Sequence, residues 1–204
     1  MDFFGKSSID LSKAICHSGG AIGADSFFEE ISKEYGVKTH AYSYKTDHHK
    51  SDSKVEISQE DYKQGIIEIN RANKSLKRYG FDKYINLLAR NWAQVKYSKQ
   101  IFAVSTIIRP GEKNGKGKKN NSSVEMVDGG TGWAVQMGIN HNKEVFVFDQ
   151  SKEVWFRWSY VTMSFIQMKE SPIITEYNFA GIGTREINKS GINAIRELFR
   201  KTNS

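Results

Sequence analysis

The 204-residue chain has one cysteine, two prolines and no apolar run near the length of a membrane span. Each scarcity excludes something. A lone cysteine, Cys16, rules out an internal disulfide and fits a reducing compartment, so a cytoplasmic setting is expected. Two prolines leave no Pro-rich linker to divide the chain, and the length suits one domain. A chain of this size buries about 70% of the surface its unfolded form exposes. No stretch approaches the ~20 apolar residues of a membrane helix. The opening "MDFFGKSSIDLSK" lacks a basic region followed by an apolar run, so no signal peptide is expected. There are no repeats. No Gly-Lys-Ser/Thr follows any glycine turn, which excludes a P-loop, and no G-x-G-x-x-G precedes an acidic residue, which argues against a dinucleotide cofactor. No cofactor is expected. His48 and His49 have no partner at metal-ligand spacing, so no metal is expected either.

The net charge of +7 is where the composition departs from the ordinary. Nucleic-acid binding is the first reading of such an excess. Its distribution argues otherwise. "RPGEKNGKGKKNNSS" (109–123) holds five basic residues and one acidic residue, and so supplies most of the excess. This segment reads either as a mobile, solvated loop or as a flap over an anionic ligand.

The remaining pattern alternates strands and helices. "KAICHS" reads as a buried strand, followed by a glycine turn and a helix that Gly36 ends. "VKTHAYSY" is a second strand. Ser58 and an acidic first turn open a helix in "SQEDYKQGIIEINRANKSL". Ile85, Leu88, Trp92 and Val95 mark another amphipathic helix. "QIFAVSTII" and "EVFVFDQ" read as apolar strands. "EVWFRWSYVTMSFIQM" (153–168) alternates aromatics and reads as a hairpin or an irregular cap. Its roles are core packing, a subunit interface or base stacking. "TEYNFAGIGT" is the last strand and "NKSGINAIRELFRK" the last helix. The expected fold is therefore α/β, Rossmann-like and doubly wound, with a mostly parallel sheet.

Three segments share the design strand, glycine turn, helix: "HSGGAIGAD", "VDGGTGWA" and "FAGIGTREI". Glycine permits positive φ and close approach of a ligand to the main chain. The following helix N-terminus presents N–H groups to an anion. In a parallel sheet such turns fall at the carboxyl ends of strands, where ligands bind. Three of them point to one nucleotide-type pocket. The candidates are Ser18, Gly19, Gly20, Gly23 and Asp25 in the first turn, and Asp128, Gly129, Gly130, Thr131 and Gly132 in the second. The third supplies Gly181, Gly183, Thr184, Arg185 and Glu186.

"SGGAIGADSFFEE" resembles the SGGA-x-GAD-x-x-x-E signature of the SLOG superfamily, which unites Smf/DprA proteins, Lonely Guy phosphoribohydrolases and nucleotide-sensing domains. "LLARNWAQV" together with "DGGTGWAVQMG" resembles small, often phage-encoded members, and "GIGTREI" resembles their GIGSRE segment. In those relatives the GIGSRE unit comes first; here it comes last. The resemblance thus implies a circular permutation that moves the first strand–helix unit to the C-terminus, or exchange of that unit between subunits. It adds Arg90, Asn91 and Gln94, from the LMARN-like segment, to the candidates. Arg90 and Arg185 would clamp an anion, because a guanidinium pairs bidentately with phosphate. The alternatives are a salt bridge for Arg90, a helix cap for Asp25, and capping or solvation for Asn91 and Gln94.

The resemblance implies binding of a nucleotide or nucleotide-derived signal, ADP-ribose-like or cyclic. It also implies association into homo-oligomers and, for a phage protein, sequestration of a host immune signal. The alternative is an N-glycosidic or phosphate-ester hydrolase. Lonely Guy enzymes act through a glutamate in P-G-G-x-G-T-x-x-E, and here Gln136 stands in its place, Trp133 in that of the threonine and Asp128 in that of the proline. Glutamine cannot serve as a base or stabilise an oxocarbenium. Asp25, Glu29, Asp128 and Glu186 remain as carboxylates near the turns. A Cys16–His17 nucleophile is disfavoured because neighbours on a strand face opposite ways. DprA-like binding of single-stranded DNA is the weakest alternative.

Overall fold

The structure, a computed structural model, describes residues 9–46, 49, 51–79 and 82–204. A 3-10 turn at Leu11–Lys13 leads into β1 (Ile15–Ser18), α1 (Ala24–Glu34), β2 (Lys38–Ser43), β3 (Lys54–Glu56) and α2 (Gln59–Leu76). A second at Asp82–Tyr84 precedes α3 (Ile85–Lys96), β4 (Gln100–Ser105), β5 (Ile107–Ile108), β6 (Met126–Val127) and α4 (Thr131–Asn140). The chain closes with β7 (Glu144–Asp149), β8 (Val154–Ser159), β9 (Ser164–Gln167), β10 (Asn178–Gly183) and α5 (Lys189–Thr202).

Eight strands form one sheet in the order β3-β2-β1-β10-β4-β7-β8-β9. Pairing is parallel from β3 to β7 and antiparallel beyond it. The central strands are buried on both faces, as crossover helices require, and β4 is buried throughout. Period-two alternation divides their side chains between two cores. Ile101, Ala103, Val145, Val147 and Ile182 join Ile69, Leu76, Leu88 and Trp92 on the face of α2, α3 and α4. Phe102, Val104, Phe146, Phe148 and Phe179 join Phe28, Ile31, Ile195 and Phe199 on the face of α1 and α5. The result is an α/β/α sandwich. Among the described residues no helix is long and apolar enough to cross a membrane.

Local signals act where they were expected. Ser58 accepts from Asp61 N at 3.0 Å at the start of α2, and Gly36, at φ 71°, follows the end of α1. The aromatic segment is a β8–β9 hairpin that extends the sheet. Trp155 packs into one core and Trp158 into the other, as alternation dictates. β3 had no counterpart among the expected strands; the main-chain ladder with β2 holds it.

The last strand lies in the middle. β10 pairs with β1 on one side and β4 on the other. Counted from β10, the strands β2-β1-β10-β4-β7 read 3-2-1-4-5, the order of a doubly wound sheet. Helix α5 then packs beside α1, where Arg196 pairs with Glu34 at 3.0 Å.

Candidate functional site

A cavity of about 670 Å³ opens at the carboxyl ends of β10 and β4, where that order reverses direction. Such a reversal point is where open α/β sheets bind ligands, and the size is that of a small-molecule pocket. Twelve of the eighteen sequence candidates line it: Asp25, Arg90, Asn91, Gln94, Asp128, Gly129, Gly130, Thr131, Gly183, Thr184, Arg185 and Glu186.

The other six stand behind the wall. Ser18 is fully buried and donates to Glu29 Oε1 at 2.9 Å. A Cβ at Gly19 would overlap the Arg90 guanidinium, and one at Gly20 would strike His49. Gly23, at φ 106°, lets the main chain of Thr184 and Arg185 pass 2.4–2.7 Å from where its Cβ would be. Gly132 sits against Val127 O, and Gly181 against the Phe28 ring. These glycines make room for protein atoms rather than for a ligand.

The first and third turns close on each other. Ala24 N, at the head of α1, donates to Thr184 O at 2.9 Å. Asp25 Oδ1 accepts from Gly183 N at 3.0 Å, and Oδ2 lies 3.6 Å from Arg90 Nη1. Burial pushes the Asp25 carboxyl up to about 6, against the opposing pull of Arg90 and the Gly183 N–H. Burial also lowers Arg90, with Asp25 opposing. Arg90 donates to Gln94 Oε1 at 3.1 Å as well. The third turn is not followed directly by a helix, contrary to the expectation. Asn188 caps α5 by accepting from Gly191 N at 2.9 Å, while Thr184 N donates to Val104 O and Glu186 N to Thr184 Oγ1. Thr184 and Arg185 reach the cavity as side chains on a loop.

The second turn is open. Gly130 caps α4 without any side-chain hydrogen bond, and the first turn of α4 contains no acidic residue. Gly129, at φ 65°, has no atom within 4 Å of where a Cβ would stand. The turn is held from below. Arg78 donates to Gly129 O at 2.8 Å and to Val127 O at 2.6 Å, and its guanidinium lies 4.6 Å from the centre of the Trp133 ring. Burial lowers Arg78 to about 10, with Asp128 opposing, so it stays cationic at neutral pH. Asn91 Nδ2 donates to Gly130 O at 3.3 Å. Sequence reasoning missed Arg78; its only signal was a basic residue at the end of a helical pattern.

The basic segment 109–123 forms one wall of the cavity. It springs from the β5–β6 ladder and carries a Lys113–Lys119 bridge. Asn120 Nδ2 donates to Ile108 O and Val124 O, each at 2.9 Å. Lys116, Lys118 and Lys119 join Lys77, Arg78, Arg90 and Arg185 in the lining, against Asp25, Asp128 and Glu186. Cations thus outnumber carboxylates, which favours an anionic occupant.

Other candidates lie elsewhere. Gln136 donates to Asn140 Oδ1 at 2.9 Å and is outside the lining. No residue of the β8–β9 hairpin lines the cavity, so this segment cannot stack a base there. Cys16 is fully buried, and burial pushes its thiol up to about 12. His17 faces the other way, bonding Tyr42 Oη at 3.0 Å and Asn178 Oδ1 at 3.1 Å, and burial lowers it to about 4. Among the described residues no cluster could hold a metal ion. His48 lies outside the described residues.

Comparison of the chain with protein-family models, curated proteins and solved structures returns no match.

Proposed function

We propose that this is a circularly permuted SLOG-type protein that holds a nucleotide or nucleotide-derived molecule in the cavity at the switch of strand order. The observation that carries the reading is the α4 N-terminus. It is free of side-chain caps, built on a glycine turn, backed by Arg78, and opens into a cavity richer in cations than in carboxylates. A helix N-terminus of this kind is an anion site. The ligand's phosphate sits on the Gly129–Thr131 turn, and its planar part lies along the Trp133 and Tyr84 side. The permutation is supported by the central place of β10 and by the contacts of Gly23 and Asp25 with the third turn.

Holding is favoured over cleavage because the inner carboxylates are engaged. Asp25 pairs with Arg90, Glu29 accepts from Ser18 and Ser51, and Asp128 accepts from Asn114, while Glu186 stands exposed on the rim. In the phage setting the same site would sequester a host immune signal. Titration calorimetry with nucleotides, NAD, ADP-ribose isomers and cyclic dinucleotides, followed by mass spectrometry of the recovered ligand, tests the reading. Intact ligand is expected. Freed base or ribose phosphate would establish the hydrolase instead, and binding of single-stranded DNA alone, with steep salt dependence, would refute both. Light scattering tests the homo-oligomer that the resemblance implies.

A further inference from the structure

Gln94 stands apart among the residues that line the cavity. It is 1% exposed, and its Nε2 donates to nothing. A buried donor left without an acceptor is unfavourable. The amide cannot turn over to relieve it. Its Oε1 accepts from Arg90 Nη1 at 3.1 Å, and a guanidinium only donates, so turning the amide would set two donors face to face. Arg90 is itself held, because Nη1 also faces Asp25 Oδ2 at 3.6 Å and the first turn leaves no room for a Cβ at Gly19 beside the guanidinium. Nε2 is therefore fixed as a donor in the cavity wall.

The surroundings say what it donates to. Asp25 and Arg90 offset each other's charge and Gln94 has none, so this corner suits a neutral group, unlike the α4 turn. Asp25 Oδ2 and the Gln94 amide flank the same nitrogen, Arg90 Nη1. The 3.6 Å separation is longer than a hydrogen bond, which leaves Oδ2 able to accept. An acceptor and a donor thus stand side by side, and a hydroxyl meets both with one oxygen. Gln94 also follows Asn91 by three residues on α3, and Asn91 Nδ2 holds Gly130 O in the α4 turn. At that spacing Cβ atoms lie about 5–6 Å apart on one helix face, so a single sugar phosphate spans the α4 turn and Gln94.

We propose that Gln94 reads a ribose hydroxyl of the ligand: Nε2 donates to the hydroxyl oxygen, and the hydroxyl donates in turn to Asp25 Oδ2. This rests on the nucleotide-holding reading and narrows it to ribonucleotides over their deoxy forms. Calorimetry with AMP, GMP, CMP and UMP against the 2′-deoxy and 3′-deoxy form of each tests it, with ribose 5-phosphate and 2-deoxyribose 5-phosphate as a base-free pair. Loss of the hydroxyl that Gln94 reads is expected to weaken binding at least about tenfold, because the deoxy ligand leaves the buried amide unpaired. Gln94→Met, similar in volume but without a donor, should bring the ribose-to-deoxyribose affinity ratio within about twofold of one. A glutamine that merely steadied Arg90 would, on replacement, weaken both forms alike and leave the ratio where it was. The wild-type comparison needs no variant and decides by itself if Gln94→Met does not fold. Equal affinity of the ribose, 2′-deoxy and 3′-deoxy forms, or an unchanged ratio in folded Gln94→Met, overturns the hydroxyl inference and leaves nucleotide holding intact. Failure of every nucleotide and of ribose 5-phosphate to bind overturns both.

Discussion

The first and second glycine turns look alike as strings, "GGAIGAD" and "DGGTG", yet they do opposite things. The first is closed. Its helix head donates to Thr184 O, its aspartate takes the Gly183 N–H and faces Arg90, and Gly23 exists so that another main chain can pass. The second is open, with no cap on α4 and clear space above Gly129. A glycine turn at the end of a strand is thus either a seam between chain segments or a mouth for a ligand. Only its neighbours distinguish the two.

The sharpest way to break this contrast is one methyl group in each turn. Gly23→Ala puts a Cβ 2.4 Å from Thr184 O and 2.5 Å from Arg185 Cα, at φ 106°. Both contacts are backbone, so neither can swing aside. A loss of about 4 kcal/mol or more is expected, at the extreme of single substitutions. Gly129→Ala meets nothing within 4 Å and has only its φ of 65° to overcome, for about 1 kcal/mol. Urea unfolding of the two variants measures both. Equal losses would mean that the turns are not different in kind.

Arg90 tests the closed turn from the other side. Removing it by Arg90→Ala strands a buried carboxylate at Asp25, for about 3 kcal/mol or more. Replacing both partners, Arg90→Met with Asp25→Asn, should recover much of that, because Asn still accepts from Gly183 N–H. If the double variant is no better than the single one, the pair is not what holds the seam.

How far was this legible? Elements set by local chemistry were: Gly36 after α1, the Ser58 cap, and the alternation that sends Trp155 and Trp158 to opposite faces. Twelve of the eighteen candidate residues also line the cavity, but most of its lining, Arg78 included, was not among them. The occupancy of the turns was not legible, because it is decided at long range. Asp25 is bonded to an amide 158 positions away, and Arg78 to carbonyls 49 and 51 positions away. No window of sequence contains both partners. The start of α5 was legible, since Asn188 caps it at the head of "NKSGINAIRELFRK"; what misled was "GIGTREI", which mimics a strand–turn–helix unit although a loop of four residues, 184–187, separates Gly183 from that cap. β3, with the sequence Lys-Val-Glu, sets a single apolar residue between two charged ones, too little to mark a strand, and pairs along its main chain with a neighbour that the sequence does not name.

A pH series probes the closed turn without disturbing its shape. Asp25 is raised in the fold to about 6 from 3.8, so between those values the native state binds more protons than the unfolded one, and stability falls as pH rises. His17 is lowered to about 4 from 6.5, so over nearly the same window the native state binds fewer protons, and stability rises with pH. Each shift is worth roughly 3 kcal/mol, and the two oppose each other from about pH 4 to 6. In Asp25→Asn the balance is removed, and unfolding free energy should climb more steeply with pH than in the wild type across that window. In His17→Gln it should fall instead. Parallel pH profiles for all three proteins would show that Asp25 titrates as an ordinary surface carboxylate and that the seam is wet.

The smallest expected effect belongs to the open side. Glu186 is the exposed carboxylate on the cavity rim, and its pair with Lys116 is 82% and 77% exposed at the two side chains. Solvent screens such a pair, so Glu186→Gln should leave the unfolding midpoint unchanged within error. Its effect should appear in binding alone. Removing a negative charge from the rim, and freeing Lys116 to face the cavity, should tighten a phosphate-bearing ligand by about twofold at low salt and by less at high salt. The same neutralising change at Asp25, behind Arg90, should act on stability instead. That division, binding at the open turn and folding at the closed one, is what separates two turns that look the same in sequence. An effect of Glu186→Gln on stability but not on ligand affinity would erase it.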